Sequence, residues 1–291
     1  MKIKVKKTLQ ALLFLIPALL LISIFFLYPL VNVFITSFQE WEALGDSKWI
    51  GLENYKETFQ DSETWQSLWN TVIYTLIVTP MIFVPAIIFA VILMKTSKIS
   101  NFFRASFFVP YVISFVVASY IWLWIYNDTI GILNYLLISF DIIKEPVNWL
   151  GGTWISRIMV SLMVSWKTFA FSMVILIAGL QAVPLEVYEA AKMDGATKSQ
   201  EFFHITLPLL RPTLMLALII SIAGSFKAYD HFYIMTQGGP LKTTQTIVMY
   251  INKVGFEYYD IGRGSAISVL FLIILLIISY LQLKLGGFSN D

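Results

Sequence analysis

Three ionisable side chains stand where the surrounding sequence is otherwise apolar: Lys167, Lys227 and Asp230. A charge inside a run of that kind is costly, so it is expected to face a cavity or a partner. Lys227 and Asp230 are three residues apart, a spacing that places both on one helix face and lets them pair. They read either as a structural ion pair near the outer interface, with the lysine stem snorkelling, or as part of a polar lining. Lys167 stands unpaired in the sequence. Its run also carries Trp166, Thr168 and Phe171, and the run of the other two carries Ser221, Ser225 and Tyr229. Two more charges with a pattern, Glu186 and Glu189, lie in a polar segment between those runs. Catalytic chemistry finds no footing. There is no cysteine, hence no disulfide, thiolate metal site or cysteine nucleophile. Only His204 and His231 could offer imidazole, which disfavours a histidine metal site. No G-x-x-x-x-G-K-[ST] phosphate loop occurs.

The elements that hold these residues are hydrophobic. The 291 residues are 58% apolar and 16% aromatic, with 13% charged, about half the charge of an average soluble chain. Net charge is +2, too small for a field that attracts nucleic acid. Six runs reach the roughly 20 residues a helix needs to cross hydrocarbon, near Leu9 to Thr36, Trp69 to Met94, Phe102 to Tyr126, Ile155 to Leu180, Leu209 to Tyr233 and Ser265 to Leu285. The expected fold is therefore an all-α membrane protein of six transmembrane helices, one transmembrane domain over 1–291. The first run follows Lys2, Lys4, Lys6 and Lys7 but is too long for a signal peptide and passes through Pro29, so it is read as a retained helix.

Lysine and arginine placement gives the orientation. Lys2, Lys4, Lys6, Lys7, Lys95, Lys98, Arg104, Lys192, Lys198, Arg211 and Lys284 fall on one side; Lys48, Lys56, Lys144, Arg157, Lys242, Lys253 and Arg263 fall on the other. The excess belongs inside, which puts both termini in the cytoplasm. The first outer loop is acidic, with Glu40, Glu42, Asp46, Glu53, Glu57, Asp61 and Glu63. It also carries Trp41, Trp49 and Trp65, and reads either as an aromatic belt with a short interfacial helix or as a contact for an outside partner.

The segment from Pro184 to Pro212 differs in kind. Pro184 suits a first helical position, Glu186 and Glu189 complement the positive end of the helix dipole, and Gly195 ends the helix. Thr197 or Ser199 caps a second turn, and Pro208 and Pro212 mark the start of the fifth span. In the first helix Glu186, Glu189 and Met193 form one stripe beside Leu185, Tyr188 and Lys192.

The run Glu189-Ala190-Ala191-Lys192-Met193-Asp194-Gly195, followed by Ile205-Thr206-Leu207-Pro208, resembles the EAA loop of binding-protein-dependent ABC importer permeases. The Glu-Ala-Ala triplet, the glycine six residues after the glutamate and the Ile-x-Leu-Pro ending all fall at the family's spacing. Thr236-Gln237-Gly238-Gly239-Pro240, with Thr244 to Tyr250 and Ser265 to Ser268, is similar to the carbohydrate branch, near the maltose and glycerol-phosphate permeases. The resemblance covers roughly the C-terminal half, Trp166 to Leu285.

This resemblance implies a type I importer permease fold in a bacterial cytoplasmic membrane and a sugar or oligosaccharide substrate. It also implies a second permease chain, two ATPase subunits that bind the ATP and magnesium, and an extracytoplasmic solute-binding protein. The chain itself would hold no cofactor and no metal. The coupling loop, 184–205, would dock the ATPase: Glu189 makes the ionic contact, Ala190 and Ala191 permit close approach, Gly195 makes the turn, and Glu186 and Asp194 flank them. Closure of the ATPase dimer would rock the spans between inward-open and outward-open states. Counted from the shared loop, the family's sugar-lining positions fall around Lys167, Thr168, Phe171, Ser221, Gly224, Ser225 and Asp230, with Trp166 and Lys227 beside them. Such cavities are often lined by neutral amides, so charge here implies a solute with a carboxylate or phosphate, or a purely structural pair. Gly238, Gly239 and Pro240 read as an outer gate or as a generic turn. An ion-driven transporter would need paired broken helices or several buried carboxylates, and an intramembrane enzyme a metal or nucleophile set. The spans offer neither.

Overall fold

The computed structural model describes residues 14–41 and 47–286. Lys2, Lys4, Lys6, Lys7, Glu42 and Asp46, and the start of the first expected span at Leu9, lie outside the described residues. In chain order the elements are helix α1 (Phe14–Thr36), strands β1 (Gln39–Glu40) and β2 (Lys48–Trp49), and helices α2 (Glu53–Gln60), α3 (Ser62–Leu93), α4 (Lys98–Val112), α5 (Phe115–Ile125) and α6 (Ile132–Ser139). Then follow α7 (Thr153–Gln181), α8 (Leu185–Met193), α9 (Lys198–Phe226), α10 (Asp230–Met235), α11 (Ile247–Asn252) and α12 (Ile261–Gly286). Among the described residues α1, α3, α7, α9 and α12 are each long and apolar enough to cross a membrane.

Two expected spans are built differently. The third is not one helix: α4 and α5 meet at 97°. Ile113 adopts an extended conformation, and the Ser114 side chain accepts from the Val117 amide at 3.2 Å, so a new capped helix starts where the old one stops. The fifth starts earlier and ends sooner than its hydropathy suggests. Thr197 and Gln200 form a reciprocal capping box, and from there one helix runs through Pro208 and Pro212 to Phe226. A π-helical turn at Glu201–Thr206 stands just before the first proline, where the regular hydrogen-bond ladder would in any case lose a donor. At the far end the amides of Lys227 and Ala228 bond three residues back, to Gly224 and Ser225, and this tightening closes the helix.

The chain divides into two compact units, one within Met1–Thr64 and Ile251–Ile273, the other within Trp65–Tyr250 and Ile274–Asp291. In the first, α1 buries only Thr36 among its described residues. The short β1–β2 pair is antiparallel, with Gln39 opposite Trp49. Asn54 of α2 ties it down by donating to the carbonyls of Ser37 and Gln39. Arg263 pairs with Asp61 at 2.8 Å and Lys253 with Glu63 at 3.4 Å. Hydrogen bonding to Tyr258, with help from Glu63, raises the Lys253 pKa above its ordinary value against the opposing effect of burial.

The second unit carries the core. Tyr74 and Val78 on α3, Val160 and Met163 on α7, and Phe232 on α10 form one buried cluster; Ala86, Ala90, Met173, Leu176 and Leu210 form another. Lipid tails are as apolar as leucine, so close packing rather than transfer from water holds such helices together. At Gly179 of α7 a Cβ would lie 2.6 Å from the Thr213 hydroxyl of α9, so the two backbones approach as closely as they do only because the residue is glycine.

Candidate functional site

The polar segment folds as a capped helix. Pro184 is the N-cap of α8 rather than its first residue, and Glu186 occupies the first turn. At the other end Gly195 has φ +76°, the Ala196 amide donates to the Ala191 carbonyl at 2.9 Å, and the Gly195 amide donates to Lys192 at 3.1 Å. That is the reciprocal pattern of a Schellman stop. One face of α8 packs: Ala191 is buried, and the Tyr188 hydroxyl meets Thr206 at 3.2 Å. The other face, Glu186, Glu189, Ala190 and Met193, is open, with Met193 88% exposed. Asp194 and Gly195 continue it. The stripe of Glu186, Glu189 and Met193 is thus one exposed surface at i, i+3 and i+7 spacing.

Beside the second half of α9 the second unit has an open cavity of about 240 Å³. Thr168, Phe171, Ser221, Gly224, Ser225, Lys227 and Asp230 all line it, as the sequence places them. Ser225 donates to the Ser221 carbonyl and Thr168 to the Val164 carbonyl, so both hydroxyl oxygens are free to accept. Phe171 stacks on Tyr111 with ring centroids 4.9 Å apart and planes 5° apart. Sequence reasoning missed Tyr74, Tyr111, Phe115, Ser172 and His231, which line the same space. Tyr111 follows Pro110 near the break of the third run, and that proline is the signal that could have drawn attention to it. His231 is buried on the cavity between Tyr74 and Phe115, and among the described residues its Nε2 atom has no hydrogen-bond partner.

Four sequence readings need correction. Lys167 and Trp166 do not line the cavity. Lys167 is 4% exposed, and its ammonium donates to the carbonyls of Tyr111 at 2.9 Å and Pro110 at 3.4 Å, beneath the ring of Phe115 at 4.6 Å; Trp166 packs on Trp122. Lys227 and Asp230 do not share a helix face, because α9 ends at Phe226 with Lys227 as its cap and Asp230 starts α10, and no salt bridge joins them. Asp230 accordingly opens a six-residue helix instead of lying inside a span. Arg157, counted as an outer-loop charge, is a buried residue of α7 that donates to the Thr243 carbonyl at 3.0 and 2.9 Å and to Asn70 at 2.8 Å.

That guanidinium helps hold the Gly238-Gly239-Pro240 loop. Asn70 donates to the carbonyls of Lys242 and Gln245, Gln245 reaches Ser67, and Thr244 bonds Thr236 and the Gly239 carbonyl. The Gly239–Pro240 bond is cis. The loop is strapped to α3 and α7 by buried hydrogen bonds, each of which would be costly to leave unmade.

The apolar helices α3, α7 and α9, with a cavity of mixed aromatic and polar lining among them and an exposed charged helix on the connection that leads to it, are the features of a membrane transport subunit. The chain belongs to the family of binding-protein-dependent transport system inner membrane components, whose profile matches residues 61–285. It is 36% identical over 275 residues to the probable ABC transporter permease protein YurN of Bacillus subtilis, covering 94% of each chain. It is 35% identical to the arabinooligosaccharides transport system permease protein AraP of the same organism, covering 94% of this chain and 88% of that one. It is 32% identical to the trehalose/maltose transport system permease protein MalF of Thermococcus litoralis, covering 100% and 98%. Its fold is that of a chain in the crystal structure of a bacterial ABC transporter involved in the import of the acidic polysaccharide alginate, with a TM-score of 0.84 at 20% identity over 99% of this chain and 98% of that one.

Proposed function

We propose that this chain is a pathway subunit of an ATP-driven importer of a sugar or oligosaccharide, in a bacterial cytoplasmic membrane. It crosses six times, with the bent α4–α5 pair counted as one crossing and both termini in the cytoplasm. Its partners are a second permease chain, two ATPase subunits that bind ATP and magnesium, and an extracytoplasmic solute-binding protein. The observation that carries this reading is the continuity of α9: one helix starts at the capped end of the coupling loop and ends among Ser221, Gly224 and Ser225 of the cavity wall. Glu189, with Glu186, Ala190 and Asp194 around it, offers the docking face to the ATPase, and the Gly238–Pro240 loop closes the pathway on the outer side. The relatives named for arabinooligosaccharides and for trehalose and maltose support the substrate class.

The lining favours a neutral sugar. Lys227 and Asp230 bring one charge of each sign, and the ammonium of Lys167 is committed to backbone carbonyls. An acidic solute is the second reading, favoured by the exposure of Lys227 on the cavity. The test is co-purification and transport in the assembled complex. Glu189→Lys, or deletion of Glu186 to Gly195, releases the ATPase and abolishes import; retained binding after either change removes the docking assignment.

A further inference from the structure

Lys167 makes four contacts that converge on the break between α4 and α5, the ring of Tyr111 at 5.5 Å among them. Its Nζ donates to the carbonyls of Pro110 and Tyr111, in the last turn of α4. In an unbroken helix the amides of Ser114 and Phe115 would take those carbonyls, and the 97° turn carries them away. The ammonium replaces them, at the end of a helix where a cation is favoured. Its third contact is the face of Phe115, the first residue of α5, 4.6 Å away. One side chain on α7 therefore grips the last turn of α4 and the first turn of α5 together. Four residues further along α7, Phe171 stacks on the ring of Tyr111. Tyr111 and Phe115 both face the cavity.

We infer that Lys167 is a positioning residue of the solute pathway: it pins the bend between α4 and α5 and so sets Tyr111 and Phe115 in the cavity wall. The inference rests on the cavity being the pathway. Removing the ammonium leaves two part-buried carbonyls in the bend without that donor, an unfavourable state that straightening or tilting of α4 relieves. Such a shift carries Tyr111 off Phe171, and a misplaced wall lowers the rate of passage without changing which solute the binding protein delivers.

The test uses the whole transporter in proteoliposomes, and it gains from the lack of native cysteine in this chain. Tyr111→Cys with Phe171→Cys places two thiols across the stacked rings as the only thiols of this subunit. With Lys167 in place the pair cross-links efficiently. With Lys167→Met the yield drops several-fold, and Lys167→Arg, whose fork can still reach two carbonyls, restores it. Without the cysteine pair, Lys167→Met lowers the maximal import rate roughly tenfold, with an unchanged half-saturating concentration of loaded binding protein, and Lys167→Arg again recovers the rate. Should the Met variant not accumulate, Lys167→Gln, with its single amide donor, gives intermediate values. Wild-type cross-linking or wild-type import in the Met or Gln variant overturns the proposal. A changed solute preference overturns it also, by making Lys167 a solute contact. Ser221→Leu tests the cavity separately: if import survives it, the pathway reading fails while the cross-linking result stands.

Discussion

The ammonium of Lys167 lies 2.9 Å from the carbonyl oxygen of Tyr111, 56 residues earlier in the chain. A charge that looked available to a solute is in use as part of the scaffold. The charges left on the cavity are Lys227, the cap of α9, and Asp230, the first residue of α10.

Lys227→Gln therefore decides the charge of the solute. If the cargo is a neutral sugar, the import rate stays within about twofold, since an exposed charge makes a contribution of only ~0–1 kcal/mol. If the cargo carries a carboxylate, the rate at limiting substrate drops by about tenfold or more. Initial rates in proteoliposomes, at fixed ionic strength, separate the two.

Gly195 ends α8 with a positive φ. A Cβ there meets nothing within 4 Å, so the cost of substitution is confined to the backbone at φ +76°. Gly195→Ala should cost about 1–2 kcal/mol and loosen the stop of α8. Gly195→Asn should cost less, because asparagine tolerates that conformation. Import and substrate-stimulated ATP hydrolysis drop in that order, while detergent-solubilised assembly with the second permease is unchanged.

At the crossing of α7 and α9, Gly179→Ala forces a methyl against Thr213. Thermal aggregation of the solubilised complex should start several degrees lower. Thr213→Gly removes the obstructing atoms, and the double variant should be more stable than Gly179→Ala alone. Additive losses in this cycle would show that the two positions do not touch.

Arg157→Met strips the Thr243 carbonyl and Asn70 of a charged donor. The expected loss is about 2–3 kcal/mol, from two buried partners left unpaired. The loop from Gly238 to Thr246 then becomes sensitive to limited proteolysis while the coupling helix does not. Equal protection of wild type and variant would mean that the strap is not what holds the loop.

Helix α8 and its connection were legible because their signals are local. Pro184, Glu186, the Glu189 to Gly195 spacing and the Thr197 cap all act within a few residues, and the structure places the first three on α8 or its boundaries and the last at the start of α9. The Lys167 contact was not legible, because it depends on a break at Ile113 inside a run whose hydropathy never falters. The end of α9 was hidden for a related reason. Bonds from Lys227 and Ala228 to carbonyls three residues back stop it, and apolar periodicity does not register them. Arg157 was misread because counting charges by side assumes that they sit in loops, whereas this one is spent on a loop from within a helix.

The unbroken run of α9 also has a mechanical meaning. Its 29 residues make a rod about 43 Å long at 1.5 Å per residue. A rod of that length that tilts by about 5° about one end moves the other by ~4 Å, enough to admit or exclude the ring of a sugar. Force applied at Thr197 would therefore arrive at Ser225 as displacement, not as a chain of separate side-chain adjustments. The π-helical turn at Glu201–Thr206 lies at the loop end of that rod, so the departure from regular winding sits beside Thr197 and far from Ser225.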